Sequence, residues 1–369
     1  MQPRALVMLA IVLLTACGGQ ASHQAQQASS SRLTASPPAG PSLAGAYGLL
    51  LTTVDPATHG KLQLIKPDGT VAASVPIAQP SLVPQACGEG AAAWRLPPVS
   101  ATNSHVYFRD GDTKIRMLVP PSTAVDVTTV PGGPTTVSGF SVSPDDLRIA
   151  VVVEELSGAG PSQAASISLR LYVENLRGGG SHADIYTTTF PAGKPAAMLW
   201  PMGWHEGRLL LAVWAACTFE SVPYPNAWHV VDASNADRLA SIGDSSCLAS
   251  VWPYPAGVDC FDFRANQLKR YDWSGKLLTT VRTDQGGELS PSGLLLALPN
   301  GGGLGNPSPT TTIERVDGSG AVTTPGHLSC LWIDEGHMLA EDAVIAYPSG
   351  AVTALPQAGQ CAGRFPGGL

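Results

Sequence analysis

The sequence predicts an all-β chain organised as a ring of repeated four-stranded sheets, and three observations carry that expectation. The first is Ser143-Pro144-Asp145-Asp146, a turn that leads directly into the apolar run Leu147-Arg148-Ile149-Ala150-Val151-Val152-Val153. Pro presets one turn dihedral, Asp can bond its own backbone, and Ile and Val suit a pleated, buried strand. A weaker copy, Ser290-Pro291-Ser292-Gly293 before Leu294-Leu295-Leu296-Ala297-Leu298, lies 147 positions further on, about three steps of a propeller-sized repeat. The second is a recurring tight hairpin: Lys66-Pro67-Asp68-Gly69, Asp272-Trp273-Ser274-Gly275, Asp317-Gly318 and Pro348-Ser349-Gly350 each separate two apolar segments. Gly supplies the positive φ that such turns need. The third is composition: charged residues are only 13%, with 40 Gly and 32 Pro, which disfavours long surface helices and favours short strands.

The chain begins with Met1-Gln2-Pro3-Arg4, followed by an uninterrupted apolar or small run from Ala5 to Leu14 and the sequence Leu14-Thr15-Ala16-Cys17-Gly18. A positive start, a short apolar core and small residues at a cleavage point describe an export signal. The run is too short to cross a bilayer core about 30 Å thick. Leu14-Thr15-Ala16-Cys17 resembles the lipobox of bacterial lipoproteins. That resemblance implies a signal peptide over 1–16, cleavage before Cys17, acylation of Cys17 and a stable membrane anchor; the other reading is an ordinary secretory signal with a chance cysteine. Residues 17–44 are rich in Gln, Ser and Pro and are expected to be a disordered tether.

Residues 45–369 are long enough for one large core, and the turn-and-strand pattern divides them into seven units. The first has strands at 47–52, 61–65 and 71–77; the second at 91–96, 105–108, 114–119 and 124–130. The third has 137–142, the organising stretch, 169–173 and 185–190; the fourth has 197–202, 208–214, 228–231 and 238–242. The fifth has 248–252, 258–263, 267–271 and 277–281; the sixth has 288–289, 294–298, 311–316 and 321–323. The seventh has 331–333, 338–340, 344–347 and 352–355. The mean step is about 48 residues, the size of a four-stranded blade. The organising turn resembles the SPDG-x-x-[IL]-[AV] signature of TolB-type, WD-repeat-like propellers, which implies a β-propeller; a two-sheet sandwich and rings of six or eight blades are the alternatives. The first unit lacks an innermost strand, because 37–45 is poor strand material. The segment from Cys361 is therefore expected to supply that strand and close the ring, which removes an exposed sheet edge.

A formal net charge of −7 without Lys/Arg clusters argues against nucleic acid as a partner. Setting Cys17 aside leaves Cys87, Cys217, Cys247, Cys260, Cys330 and Cys361, an even number in an exported chain, for which disulfides are expected among fifteen possible pairings. Blade geometry favours Cys217–Cys247, since the loop after a second strand and the loop into the next blade open on the same face. Cys247–Cys260 fits less well, because pairing about residue 255 offsets the two by three positions.

No zincin motif, nucleophile elbow, P-loop or C-x-x-C occurs, and no cofactor or metal is expected. His205, His229 and His327 could meet at a ring axis, but surface or core histidines are the plainer reading. Asp334-Glu335 and Glu341-Asp342 are read as solvated turn residues. Aromatic residues crowd the fourth and fifth units, mostly as inter-blade packing. The connection Phe219-Glu220-Ser221-Val222-Pro223-Tyr224-Pro225-Asn226 differs. Rings beside Glu and Asn on a loop suit a peptide- or sugar-binding lip, so Phe219, Glu220, Tyr224 and Asn226, with Trp204, are the candidate ligand residues. The functional expectation is a lipid-anchored, extracytoplasmic, monomeric binding module for a protein, peptide or glycan. The alternative is an enzyme, such as a lyase, lactonase or other hydrolase, with a site at the propeller axis.

Overall fold

The computed structural model describes residues 42–363 apart from 44, 56–58, 82–98, 159–165, 179–181, 195, 216–224, 244–246, 250–252, 285 and 301–308. These residues form seven four-stranded antiparallel sheets, the blades of a β-propeller. Blade 1 holds β1 (Gly48–Asp55), β2 (His59–Ile65) and β3 (Val71–Ala78); blade 2 holds β4 (Val99–Ala101), β5 (Val106–Asp110), β6 (Lys114–Val119) and β7 (Thr123–Thr129). Blade 3 is β8 (Thr136–Val142), β9 (Arg148–Ser157), β10 (Ser166–Asn175) and β11 (Asp184–Phe190). Blade 4 is β12 (Ala197–His205), β13 (Arg208–Ala215), β14 (Ala227–Val231) and β15 (Arg238–Ile242). Blade 5 is β16 (Cys247–Ala249), β17 (Val258–Asp262), β18 (Gln267–Tyr271) and β19 (Leu277–Arg282). Blade 6 is β20 (Glu288–Leu289), β21 (Leu295–Asn300), β22 (Thr310–Arg315) and β23 (Val322–Pro325). Blade 7 is β24 (Ser329–Asp334), β25 (His337–Ala340), β26 (Ala343–Ala346) and β27 (Val352–Ala354). The last strand, β28 (Gln360–Gly363), joins β1 as the fourth strand of blade 1.

The expected closure by the chain end is therefore observed. Gln360, Cys361 and Gly363 pair with Leu51, Leu50 and Leu49, in the position that β4 to β24 hold at the start of the other blades. A disulfide between Cys330 on β24 and Cys361 on β28 ties this strand to blade 7 as well. In blade 2 the first strand is Val99–Ala101, later than the 91–96 expected from hydropathy. Residues 91–96 lie outside the described residues, so what they form instead is not part of the picture.

The organising stretch is apolar without alternation because β9 is buried on both faces. Ile149, Val151 and Val153 pack with Tyr107, Ile115 and Met117 of blade 2. Ala150 and Val152 pack with Trp204, Leu209 and Leu211 of blade 4. Outer strands behave differently: every position of β11 along Asp184–Phe190 is exposed or half-buried, which suits its run of threonines. Blades approach closely where a side chain is missing. A Cβ on Gly139 of β8 would lie 2.9 Å from the Trp200 ring of β12.

The hairpins after the third strands share one device. Asp68, Asp232, Asp272 and Asp317 each accept hydrogen bonds from the backbone N–H and hydroxyl of the Thr or Ser two residues on. The hydroxyl bond is the leading reason each carboxyl is held below the usual Asp range.

Two predictions follow from this architecture. The Cys330–Cys361 bridge spans 31 residues, so Cys330→Ser/Cys361→Ser should cost roughly 3.5 kcal/mol in the chain-entropy account; a denaturation midpoint equal to wild type would contradict it. The second concerns acid. A carboxyl held low in the folded state stabilises above its unfolded pKa and loses that contribution as pH falls through the folded value. Melting temperature should drop on titration below about pH 4, and Asn at all four turn aspartates should flatten the drop; an unaltered slope in that variant would show that other carboxylates dominate.

Candidate binding face

Strand direction sorts the connections onto two faces. Turns from first to second and from third to fourth strands open on one face, here called the turn face. Links from second to third strands, and from each blade to the next, open on the opposite loop face. The three longest connections, 79–98, 216–226 and 301–309, all belong to the loop face.

The turn face carries the Ser-Pro and Asp/Ser-Gly turns together with the longer connections 176–183 and 250–257, and polar side chains latch it between blades. In the Ser143-Pro144-Asp145-Asp146 turn, the Ser143 Oγ accepts the Arg148 N–H at 2.8 Å. Asp146 adopts φ +59°, where the equivalent Gly293 of the second copy has φ +78°. A non-Gly residue there costs on the order of 1–2 kcal/mol, and buried contacts offset it. The Asp146 carboxylate pairs with His105 Nδ1 at 2.8 Å and accepts the Tyr107 hydroxyl at 3.0 Å, all three buried. Blade 2 is thus bound to the turn of blade 3. Burial, and then the Asp146 charge, push the Tyr107 phenol well above its ordinary value, so it stays protonated as a donor.

The second Ser-Pro turn is held by a different residue in the same manner. Arg270 of β18 pairs with the fully buried Asp259 of β17 at 2.9 Å and donates to the Ser290 and Pro291 carbonyls of blade 6 at 2.9 and 3.0 Å. Its guanidinium lies 4.0 Å from the Tyr254 ring centre. From the other side, Glu335 of blade 7 accepts the Ser292 hydroxyl at 2.7 Å. Trp204 donates its indole N–H to the Ser141 carbonyl at 3.2 Å, with Arg148 stacked 4.7 Å over its ring.

On the loop face the described polar groups bind both connections and one another. Asp110 accepts the Ala78 N–H at 2.7 Å and Arg116 at 2.9 Å. Asp112 accepts the Ser81 hydroxyl at 2.7 Å, chiefly for which its carboxyl is held low. Together they clamp the start of the 79–98 connection. In blade 7, His327 pairs with Asp342 at 2.7 Å, while burial and then Asp342 push the neighbouring Glu341 carboxyl up.

Phe219, Glu220 and Tyr224 fall on the 216–226 connection but outside the described residues. Asn226 is exposed at its end, and its N–H donates to the Val213 carbonyl at 2.7 Å. Trp204 takes no part in such a lip. It is 1% exposed and sits at the turn-face end of blade 4, since it pairs with Leu209 whereas Asn226 adjoins Val213, about 13 Å along the strand. The packing reading holds for its neighbours too: Trp200, Trp214, Trp228 and Trp273 share one buried cluster that runs from blade 3 through blade 4 to blade 5.

The three histidines do not meet. His205 ends β12 at the turn face, His229 lies within β14, and His327 precedes β24 at the loop face. Among the described residues no three His, Cys, Asp or Glu groups are placed to hold a metal. Asp334 and Glu335, expected as merely solvated, are partnered: Asp334 pairs with His337 at 2.8 Å and Glu335 with Ser292. Sequence reasoning missed Arg270–Asp259 and His105–Asp146–Tyr107. The available signal was a charged residue inside an otherwise apolar strand, which gives no partner.

No protein-family model matches the chain, nor does any curated protein. Solved structures do resemble it. Sqt1 of Saccharomyces cerevisiae shares 11% identity at TM-score 0.40, over 76% of this chain and 89% of that one. A functionally unknown protein from Desulfotomaculum acetoxidans shares 11% at 0.39, over 87% and 98%. Prolyl oligopeptidase B of Galerina marginata shares 11% at 0.38, over 73% of this chain but 39% of that one. At these identities the likeness is one of fold, and the propeller assignment rests on the sheet order itself.

The cysteines of blades 4 and 5 are described only in part. Cys217 lies outside the described residues, so Cys217–Cys247 is not seen. Cys260, however, is disulfide-bonded and buried beside Trp214, Trp228 and Trp273. Its strand partner is Ala249, so its offset from Cys247 is two positions, not three. A Cys217–Cys247 bridge would leave Cys260 only Cys87, which lies between blades 1 and 2 in the chain. Cys217 follows the last residue of β13 by two, in the blade that Cys260 faces. A non-reduced digest should therefore yield a Cys217–Cys260 fragment; a Cys217–Cys247 fragment would restore the original expectation. A second test concerns the buried ion pair. Asp259→Ala leaves Arg270 buried without its counter-charge and should cost about 3–5 kcal/mol, measured by urea denaturation; a loss below about 1 kcal/mol, the worth of an exposed pair, would contradict this reading.

Proposed function

We propose that this chain is a membrane-tethered, extracytoplasmic binding module that receives a protein, peptide or glycan on its loop face. The observation that supports the reading is that the three longest connections, 79–98, 216–226 and 301–309, all join strand ends on the loop face, while those of the turn face run to eight residues at most. Long loops on a rigid scaffold are where binding residues concentrate. The aromatic and polar content of 216–226 provides large contact area with hydrogen-bonding tips. The Leu14-Thr15-Ala16-Cys17 sequence supports acylation of Cys17 as the anchor, and the propeller of TolB type would stand outside the cytoplasmic membrane as a monomer.

Two variants test the two halves of this reading separately. Cys17→Ser should release the protein from the membrane fraction or leave it unprocessed; detergent-phase partitioning like wild type would refute the anchor. Phe219→Ala/Tyr224→Ala should lower retention of the wild-type partner at least tenfold in affinity capture from solubilised membranes, with an unchanged melting curve. Equal retention would remove the 216–226 connection from the binding site.

A further inference from the structure

Each blade ends in an outer strand whose far edge pairs with no further strand among the described residues. Such edges present unpaired N–H and C=O groups, and proteins blunt them with charges, proline, bulges or short length. Six of the outer strands here are blunted in that way. In β3, Pro76 interrupts the strand and the Ser74 N–H is taken by the Pro121 carbonyl. β7 carries Asp126, ion-paired to Arg116, and its register shifts beside that residue. The registers of β15 and β19 shift at Leu239 and at Leu278. β23 ends on Pro325, and β27 is three residues long. In none of the six does a regularly paired run free of charge and proline exceed three residues.

β11 is the exception. Tyr186-Thr187-Thr188-Thr189-Phe190 pairs in regular register with Leu171 to Ile167, five residues without charge, proline or bulge. All five are exposed or half-buried, and Tyr186 is 40% exposed. Among the described residues, no backbone hydrogen bond from outside the sheet reaches them.

By residue class this segment reads the same in both directions: aromatic, Thr, Thr, Thr, aromatic. Antiparallel pairing of two such edges about Thr188 sets Tyr186 of one copy opposite Phe190 of the other, twice, and Thr187 opposite Thr189. Aromatic pairs and Thr–Thr pairs are favourable cross-strand neighbours. Asp184, the strand's only charge, then falls opposite the turn 191–194, whose only charge is Lys194, so no like charges meet.

We propose that two copies of this chain associate edge to edge through β11, about a twofold axis at Thr188. The contact is isologous, so it consumes both edges and closes at two copies instead of growing into a fibre. A five-residue edge is a small interface, of the size that gives transient association; the monomer of the reading above is then the dilute state. Pairing uses neither the anchor nor the 216–226 connection, so it stands or falls apart from both.

Cysteine cross-linking in the concentrated, detergent-solubilised full-length protein tests the register. Mild oxidation of Thr188→Cys should give a disulfide-linked dimer, because the twofold sets the two copies of position 188 directly opposite, within about 7 Å. Tyr186→Cys should give none, since its two copies lie four positions apart, about 13 Å along the strand. Tyr186→Cys/Phe190→Cys should link again, with peptide mapping showing position 186 joined to 190. Thr188→Lys and Thr188→Glu should each lower self-association at least tenfold in sedimentation equilibrium, with unchanged melting curves, and an equimolar mixture should restore it. A wild-type chain that stays monomeric across the whole concentration series would overturn the proposal. So would equal linking at 186 and 188, or wild-type association in both charge variants.

Discussion

Pairing of β28 with β1 is the interaction on which the rest of this structure depends. Seven sheets arranged radially have no internal reason to stop, and an open ring would leave β1 with an unpaired edge against solvent. Three residues of β28 remove that edge. They also place Cys361 where Cys330 of blade 7 can bond it, so that the strand that completes the first blade is covalently linked to the last. Because β28 takes the innermost position, it completes the inner ring as well as the sheet of blade 1. The clusters that join blade 1 to blade 7 and to blade 2, around Leu50 and Leu49 respectively, include Cys361 and Ala362 of that strand.

Around the remainder of the ring, apolar packing gives adhesion and a few buried polar contacts give register. The two Ser-Pro turns are the clearest case. One is grasped by His105 and Tyr107 through Asp146, the other by Arg270 through the Ser290 and Pro291 carbonyls. Different side chains reach the same turn from the preceding blade, so the turn is the shared element and the latch is local. Such contacts are directional, and a blade displaced by one residue would leave a buried ion or donor without its partner.

This explains what could be read from the sequence. Blade number, most strands and the closing strand were legible, because apolar runs, Ser-Pro turns and Asp/Ser-Gly hairpins are local signals. The first strand of blade 2 was not legible. Val99–Ala101 is three residues long and no more apolar than 91–96, so hydropathy alone favoured the wrong segment. Of the candidate lip, Phe219, Glu220 and Tyr224 lie outside the described residues, and Asn226 is exposed at the end of that connection. Trp204 was misplaced because its number is close to the lip while strand pairing carries it to the other end of the blade. The inter-blade latches had no signal, since each joins residues 20 to 63 positions apart across separate sheets.

The central claim is that the terminal strand is an integral part of one cooperative ring. Native-state hydrogen exchange in low denaturant tests it most directly, by comparing amides of β28 with those of β9. If closure holds the ring together, Cys361 and Ala362 amides exchange only through global opening, with the same free energy and denaturant dependence as Val151 and Val153. Exchange of β28 through a low-energy local opening, while β9 stays protected, would show that the ring is stable without its clasp and would contradict the account.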